Sequence, residues 1–301
     1  MTSKNKIEHL DSENLDVPEI TETFVRYGNY NDLKKIVSSR KFFPTFISGP
    51  SGCGKTLSVK QACAELHREL VRVNITVETD EDDLIGGFRL KDGDTIWHDG
   101  PVVQALQRGA ILLLDEIDLA SNKIMCLQSI LEGDGVFLKK LGHHVYPAPG
   151  FNVIATANTK GKGSEDGRYI GTNVLNEAFL DRFAITFDQT YPTVATESKI
   201  LRSVAETLSI TDDQFITNLC EWASRIRKTF EQDQVDEVIA TRRLVNLLVA
   251  YSIYGNKEKA LKLAVNRFDD YIQKSFLTLY ETLDKDIQFG DSVDTDPMVS
   301  P

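Results

Sequence analysis

Gly49-Pro50-Ser51-Gly52-Cys53-Gly54-Lys55-Thr56 matches the phosphate-loop pattern G-x-x-x-x-G-K-[ST] at every fixed position. Its surroundings also fit. Phe43-Pro44-Thr45-Phe46-Ile47-Ser48 is an apolar, β-rich stretch that predicts a buried strand. After the loop, Leu57 to Leu66 carries apolar residues at helical spacing. Strand, glycine loop and helix form the context the motif requires. The glycines let backbone N–H groups turn toward phosphate oxygens, and the helix N-terminus adds its positive dipole end. The nucleotide-binding set is therefore Gly49, Pro50, Ser51, Gly52, Cys53, Gly54, Lys55, Thr56 and Leu57. Lys55 is expected to reach the β- and γ-phosphates of ATP, and Thr56 to place its hydroxyl on Mg²⁺.

A second motif, Ile111-Leu112-Leu113-Leu114-Asp115-Glu116, follows at a compatible distance. Four consecutive apolar residues predict a strand covered on both faces, as in a parallel sheet. Ligand sites in open α/β sheets lie at the carboxyl ends of strands, where Asp115 and Glu116 fall. Asp115 is placed to hold Mg²⁺, directly or through water. Glu116 is placed to act as general base toward an attacking water. Asn158 closes a third apolar strand, Phe151 to Thr156. An amide there is expected between Asp115 and Lys55, where it can orient that water.

The 301 residues are 41% hydrophobic, enough for a large α/β domain and a smaller one. No apolar run is long enough to cross a bilayer, and Met1 to Lys6 leads into polar sequence unlike a signal peptide. The four cysteines, Cys53, Cys63, Cys126 and Cys220, are scattered and form no C-x-x-C pair, which argues against a zinc site or a disulfide framework. A cysteine inside the phosphate loop suits a reducing compartment, so a cytoplasmic protein is expected. The net charge of −11 argues against extended, sequence-independent nucleic-acid binding.

Along the chain, the patterns predict a polar N-terminal segment (1–22), an α/β domain (23–191), a helical domain (192–285) and an acidic tail (286–301). Within the α/β part, Tyr30 to Ser39 predicts a helix. Leu70 to Ile75 predicts a strand, and Gly86 to Trp97 a hairpin with an Asp-Gly turn. Lys123 to Leu131 predicts a helix, Gly133 to Tyr146 a second hairpin, and Lys160 to Gly171 a glycine-rich loop. Beyond Val194 only helices are expected, including one over Val238–Tyr254. Strands alternating with helices, followed by a helical bundle, predict a doubly wound, five-stranded parallel sheet with a C-terminal helical lid.

The order of phosphate loop, strand-Asp-Glu, strand-Asn and then Asp181-Arg182-Phe183 resembles the AAA+ superfamily of ring ATPases. That resemblance implies that Arg182 reaches the γ-phosphate held by a neighbouring subunit. It also implies a lid arginine that touches nucleotide in its own subunit. Arg242, in Ala240-Thr241-Arg242-Arg243-Leu244, matches that position best, with Arg243 as the second choice. Asp83 to Gly87 before a hairpin, Asp99 to Ala105, and a second hairpin ahead of Asn158 are similar to the MoxR branch. Three stretches resemble the small ATPase subunit of aerobic cobalt chelatase: Val71 to Ile75, Ala155 to Gly163 and Tyr169 to Thr172.

The resemblance spans roughly residues 24 to 284. It implies ATP hydrolysis with Mg²⁺ at subunit interfaces of a ring, a hexamer, and remodelling of a partner that carries a von Willebrand A-type domain. Driving metal insertion into a corrin ring and acting as a MoxR-type chaperone on an unrelated complex are both compatible with it.

Overall fold

The computed structural model of the chain describes residues 16–91, 93–163 and 171–289. The first fifteen residues of the polar N-terminal segment lie outside the described residues, as does the acidic tail from 290 on. So do residues 164–170 of the glycine-rich loop, with Tyr169 and Ile170 of the chelatase-like stretch. The chain divides into two compact units, Met1–Thr190 and Tyr191–Pro301.

The first unit contains, in chain order, α1 (Tyr30–Ser39), β1 (Thr45–Ser48), α2 (Lys55–Glu65), β2 (Leu70–Asn74) and α3 (Glu81–Leu84). A hairpin of β3 (Gly86–Lys91) and β4 (Asp94–Asp99) leads to α4 (Pro101–Arg108) and β5 (Ile111–Asp115). Then come α5 (Gln128–Leu131), a second hairpin of β6 (Val136–Leu138) and β7 (His143–Val145), β8 (Asn152–Ala157), α6 (Glu177–Leu180) and β9 (Ile185–Asp188). Strands β2-β5-β8-β1-β9 form one parallel sheet in that order.

The apolar runs are long because the sheet is covered on both sides. Side chains alternate faces along a strand. Phe46, Leu112, Leu114, Val153 and Ala155 enter a core on one face, with α4 and the second hairpin. Ile47, Ile111, Leu113 and Ile154 enter a core on the other, with α1 and α2. Leu112, Leu113 and Leu114 are fully buried. Each such side chain stabilises the fold by about 1.5–3 kcal/mol relative to exposure.

One predicted helix takes a different form. Residues Asn122–Leu127 form a 3₁₀ helix, and only Gln128–Leu131 is α-helical. The buried residues Ile124, Leu127 and Ile130 are spaced by three. A 3₁₀ helix stacks i and i+3 on one face, which suits that spacing better than 3.6 residues per turn.

Among the described residues, the regular structure of the second unit is helical: α7 (Val194–Thr207), α8 (Asp213–Glu231), α9 (Thr241–Tyr254), α10 (Lys257–Val265) and α11 (Asp270–Glu281). Its core centres on Trp222, Phe215, Leu219 and Tyr280, and the Trp222 indole donates to the Phe276 carbonyl at 2.8 Å. A buried carboxylate joins three helices. Glu197 of α7 accepts both ends of the Arg227 guanidinium of α8, at 2.8 and 2.9 Å, and the Thr241 hydroxyl of α9 at 2.6 Å. Arg227 also donates to the Ile239 carbonyl. The helix α9 starts at Thr241 rather than at Val238 because Ala240 is extended, with φ −76° and ψ 155°. Among the described residues, no helix is long and apolar enough to cross a membrane.

Candidate active site

The sheet order decides which residues can meet. Strand β8 lies between β5 and β1. Ser48 is opposite Ala157 in the parallel register, so the loop after β1 and Asn158 after β8 leave the sheet side by side. Asp115 ends the next strand along, opposite Asn74 of β2.

The loop from Gly49 to Gly54 turns tightly over these strand ends. Gly49 has φ +152°, and a Cβ there would sit 2.0 Å from the Gln189 carbonyl oxygen. Gly54 has φ +86° and caps α2 in the left-handed region, where a side chain is strained. Cys53 is buried with its Sγ against the Gln189 carbonyl, and the Tyr27 hydroxyl donates to the Cys53 carbonyl. Leu57, in the first turn of α2, is exposed.

Lys55 is buried. Its ammonium donates to the carbonyls of Gly49 at 2.6 Å and Pro50 at 3.0 Å, and to Asn158 Oδ1 at 3.1 Å. Next to it, the Thr56 hydroxyl donates to Asp115 Oδ1 at 2.8 Å. Lys55, Thr56, Asp115 and Asn158 therefore form one connected cluster at the carboxyl edge of the sheet. Thr56 and Asp115 together present only oxygen donors, the chemistry that a hard divalent cation such as Mg²⁺ takes.

Asp115 is almost fully buried. Burial alone would raise its pKa. Hydrogen bonds from Thr156, Thr56 and Arg72 outweigh this and hold the carboxyl below its ordinary value. Glu116, by contrast, is exposed, and none of the described residues donates to its carboxylate. Its backbone is left-handed, with φ +59° and ψ +44°. Its N–H donates to the Thr156 hydroxyl at 3.2 Å, and that hydroxyl donates to Asp115 Oδ1.

Three residues of this site escaped the sequence reading. Thr156 joins the two acidic positions. Asp118 is fully buried, and its Oδ2 accepts the N–H groups of Asn158 and Thr159, both at 2.9 Å. It thereby fixes the backbone that carries Asn158. Arg72 of β2 is bound to Asp115 through two N–H groups. Its signal was the alternation Val71-Arg72-Val73, a charged residue within an otherwise apolar strand.

Arg182 is not part of the cluster. Its Nε donates to Glu132 Oε1 at 2.7 Å and its Nη1 to the Ala178 carbonyl. In the second unit, Arg243 is committed to packing, with Nη1 on the Ala264 carbonyl at 2.7 Å and the guanidinium over the Phe268 ring. Arg242, one position earlier on α9, is exposed.

Residues 44–183 match the AAA domain of the dynein-related subfamily. The protein NorQ of Paracoccus denitrificans is 33% identical over 225 residues, covering 74% of this chain and 78% of NorQ. The aerobic cobaltochelatase subunit CobS of a Sinorhizobium species is 29% identical over 234 residues, covering 74% of this chain and 70% of CobS. Among solved structures, a RuvB mutant of Thermotoga maritima aligns with a TM-score of 0.50 at 15% identity, covering 88% of this chain and 87% of RuvB. At that identity the likeness concerns the fold alone.

Proposed function

The chain belongs to the AAA+ ATPases of the MoxR type, and from that premise we propose that it binds and hydrolyses ATP at the subunit interfaces of a ring, a hexamer, to remodel a partner protein. The observation that carries this reading is the cluster of Lys55, Thr56, Asp115 and Asn158 at adjoining strand ends. In it, a cation, a hydroxyl, a carboxylate and an amide converge below a loop of backbone N–H groups.

Each residue then has a role. Gly49 to Leu57 bind the nucleotide, and Lys55 holds its β- and γ-phosphates. Thr56 and Asp115 would hold Mg²⁺, which when bound offsets phosphate charge in the transition state. Glu116 takes the proton of the attacking water, and its exposed carboxylate is available to do so. Asn158 orients that water from its place beside Lys55. Arg182 serves the pocket of the neighbouring subunit, which is consistent with its lack of contact with its own. The family resemblance makes Arg242, exposed on α9, the lid arginine that touches nucleotide, whereas Arg243 is already held by the Ala264 carbonyl and the Phe268 ring.

For the output, the family resemblance implies a motor that acts on another protein, one with a von Willebrand A-type domain. A cobaltochelatase-like task is one form of it. A MoxR-type chaperone task on another complex is the second. The absence of any disulfide among the four cysteines suits work in the cytoplasm. The deciding experiment is mass photometry of wild type and Glu116→Gln with and without ATP, followed by capture of bound protein from native extract with the variant. ATP-dependent hexamers that retain a specific client support the reading. A monomer at every nucleotide state would refute the interface mechanism.

A further inference from the structure

Arg72 gives Asp115 a cation before any metal arrives. Its Nε lies 2.9 Å and its Nη2 2.5 Å from Asp115 Oδ2. The opposite oxygen, Oδ1, accepts the hydroxyls of Thr56 and Thr156. Four donors thus surround a carboxylate whose side chain is only 5% exposed. The Arg72 side chain is 38% exposed at the edge strand of the sheet, so its position is not forced by burial. Both guanidinium N–H groups converge on the one oxygen Oδ2, which leaves Oδ1 to the two hydroxyls and sets a fixed positive charge on the far side of the carboxylate.

The charge balance has a consequence. A divalent ion that approaches Oδ1 alone meets a carboxylate already neutralised, with a fixed positive charge on its far oxygen. The same ion arriving with a triphosphate brings its own compensating negative charge. We propose that Arg72 is a positioning residue that couples cation loading to nucleotide: it prevents Asp115 from retaining a divalent ion by itself, so the ion stays only when phosphate oxygens supply the remaining charge. The inference rests on the reading of Asp115 as the metal-side carboxylate.

A purely structural role for Arg72, clipping β2 to β5, predicts that its loss weakens cation binding or leaves it unchanged. The charge argument predicts the opposite sign. Mn²⁺ serves as the probe, titrated into the nucleotide-free full chain and followed by the loss of the free-ion electron paramagnetic resonance signal. Arg72→Met should bind Mn²⁺ more tightly than wild type, by about 10–100-fold, the size of effect that outer partners of metal ligands usually exert. Arg72→Gln, which keeps an amide donor but no charge, should gain similarly, and it stands in if the methionine variant does not fold. Arg72→Lys keeps the charge and should bind like wild type. Adding Asp115→Asn to either neutral variant should erase the gain.

The proposal is overturned if both neutral variants bind Mn²⁺ no more tightly than wild type, or if Arg72→Lys gains as much as they do. Asp115→Asn alone, tested for Mn²⁺ binding together with a non-hydrolysable ATP analogue, separates the two layers. Unchanged binding there would remove the reading of Asp115 and the proposal with it. Weakened binding there, with no gain in the Arg72 variants, would remove the proposal only.

Discussion

The ammonium of Lys55 and the side-chain oxygen of Asn158 lie 3.1 Å apart although 103 positions separate them in the chain. The contact exists because β1 and β8 are neighbours and end level with one another. It ties the loop that would hold the phosphates to the residue that would hold the water.

Lys55→Ala should lose nucleotide binding, by roughly 10–100-fold or more, the value of a charge-assisted hydrogen bond of about 1.5–3 kcal/mol. Calorimetric titration with a non-hydrolysable ATP analogue measures it. Wild-type affinity in the variant would show that this loop is not the nucleotide site. Asn158→Ala should keep most of the affinity and lose turnover, which separates the two partners of the contact.

Glu116→Gln should bind ATP as wild type does and release phosphate ~10²–10⁴-fold more slowly, because the amide cannot take a proton from water. Turnover above about a tenth of the wild-type rate would exclude Glu116 as the base.

Arg182→Ala should bind ATP nearly normally and lose hydrolysis, by up to ~10³–10⁵-fold for an arginine that stabilises transition-state charge. The sharper measurement mixes it with Lys55→Ala. One variant keeps a sound finger beside a dead pocket, the other the reverse. Co-assembled rings should regain part of the activity. If the variants demonstrably mix and no activity returns, Arg182 is the structural partner of Glu132 and nothing more.

Glu197→Ala should destabilise the helical unit by about 3–5 kcal/mol, the usual penalty for stranding one member of a buried ion pair. Arg227 would be left 8% exposed with no carboxylate, and Thr241 would lose its acceptor. Hydrogen exchange should lose protection in α7, α8 and the start of α9, while the β5 and β8 amides stay protected. The paired change Glu197→Leu with Arg227→Met should recover much of the loss, since apolar replacements of a buried pair are often neutral. Equal loss from the single and paired changes would contradict this account.

The architecture was legible because its signals are local. Gly49 to Thr56 carries its own loop geometry, and Leu112 to Leu114 announce a strand covered on both sides. The residues that escaped depend on which strands are neighbours, and no local pattern encodes that. Arg72 matters because β2 lies beside β5, and Thr156 because β8 lies on the other side of β5. Asp118 follows two other acids, Asp115 and Glu116, and no local pattern marks it as the one that is fully buried and accepts the Asn158 N–H. The 3₁₀ segment Asn122–Leu127 was missed for a related reason: spacing by three and by 3.6 diverge only over several turns.

The left-handed backbone at Glu116 also bears on how this chain could be engineered. A residue with a Cβ held at φ +59° raises the energy of the native state by about 1–2 kcal/mol, and glycine in its place largely relieves the cost. A library screened for heat resistance would therefore enrich Gly at position 116, and the enriched clones would lack the exposed carboxylate. Selection on melting temperature and selection on turnover pull this position in opposite directions, so any thermostabilised version should be built with residue 116 held fixed.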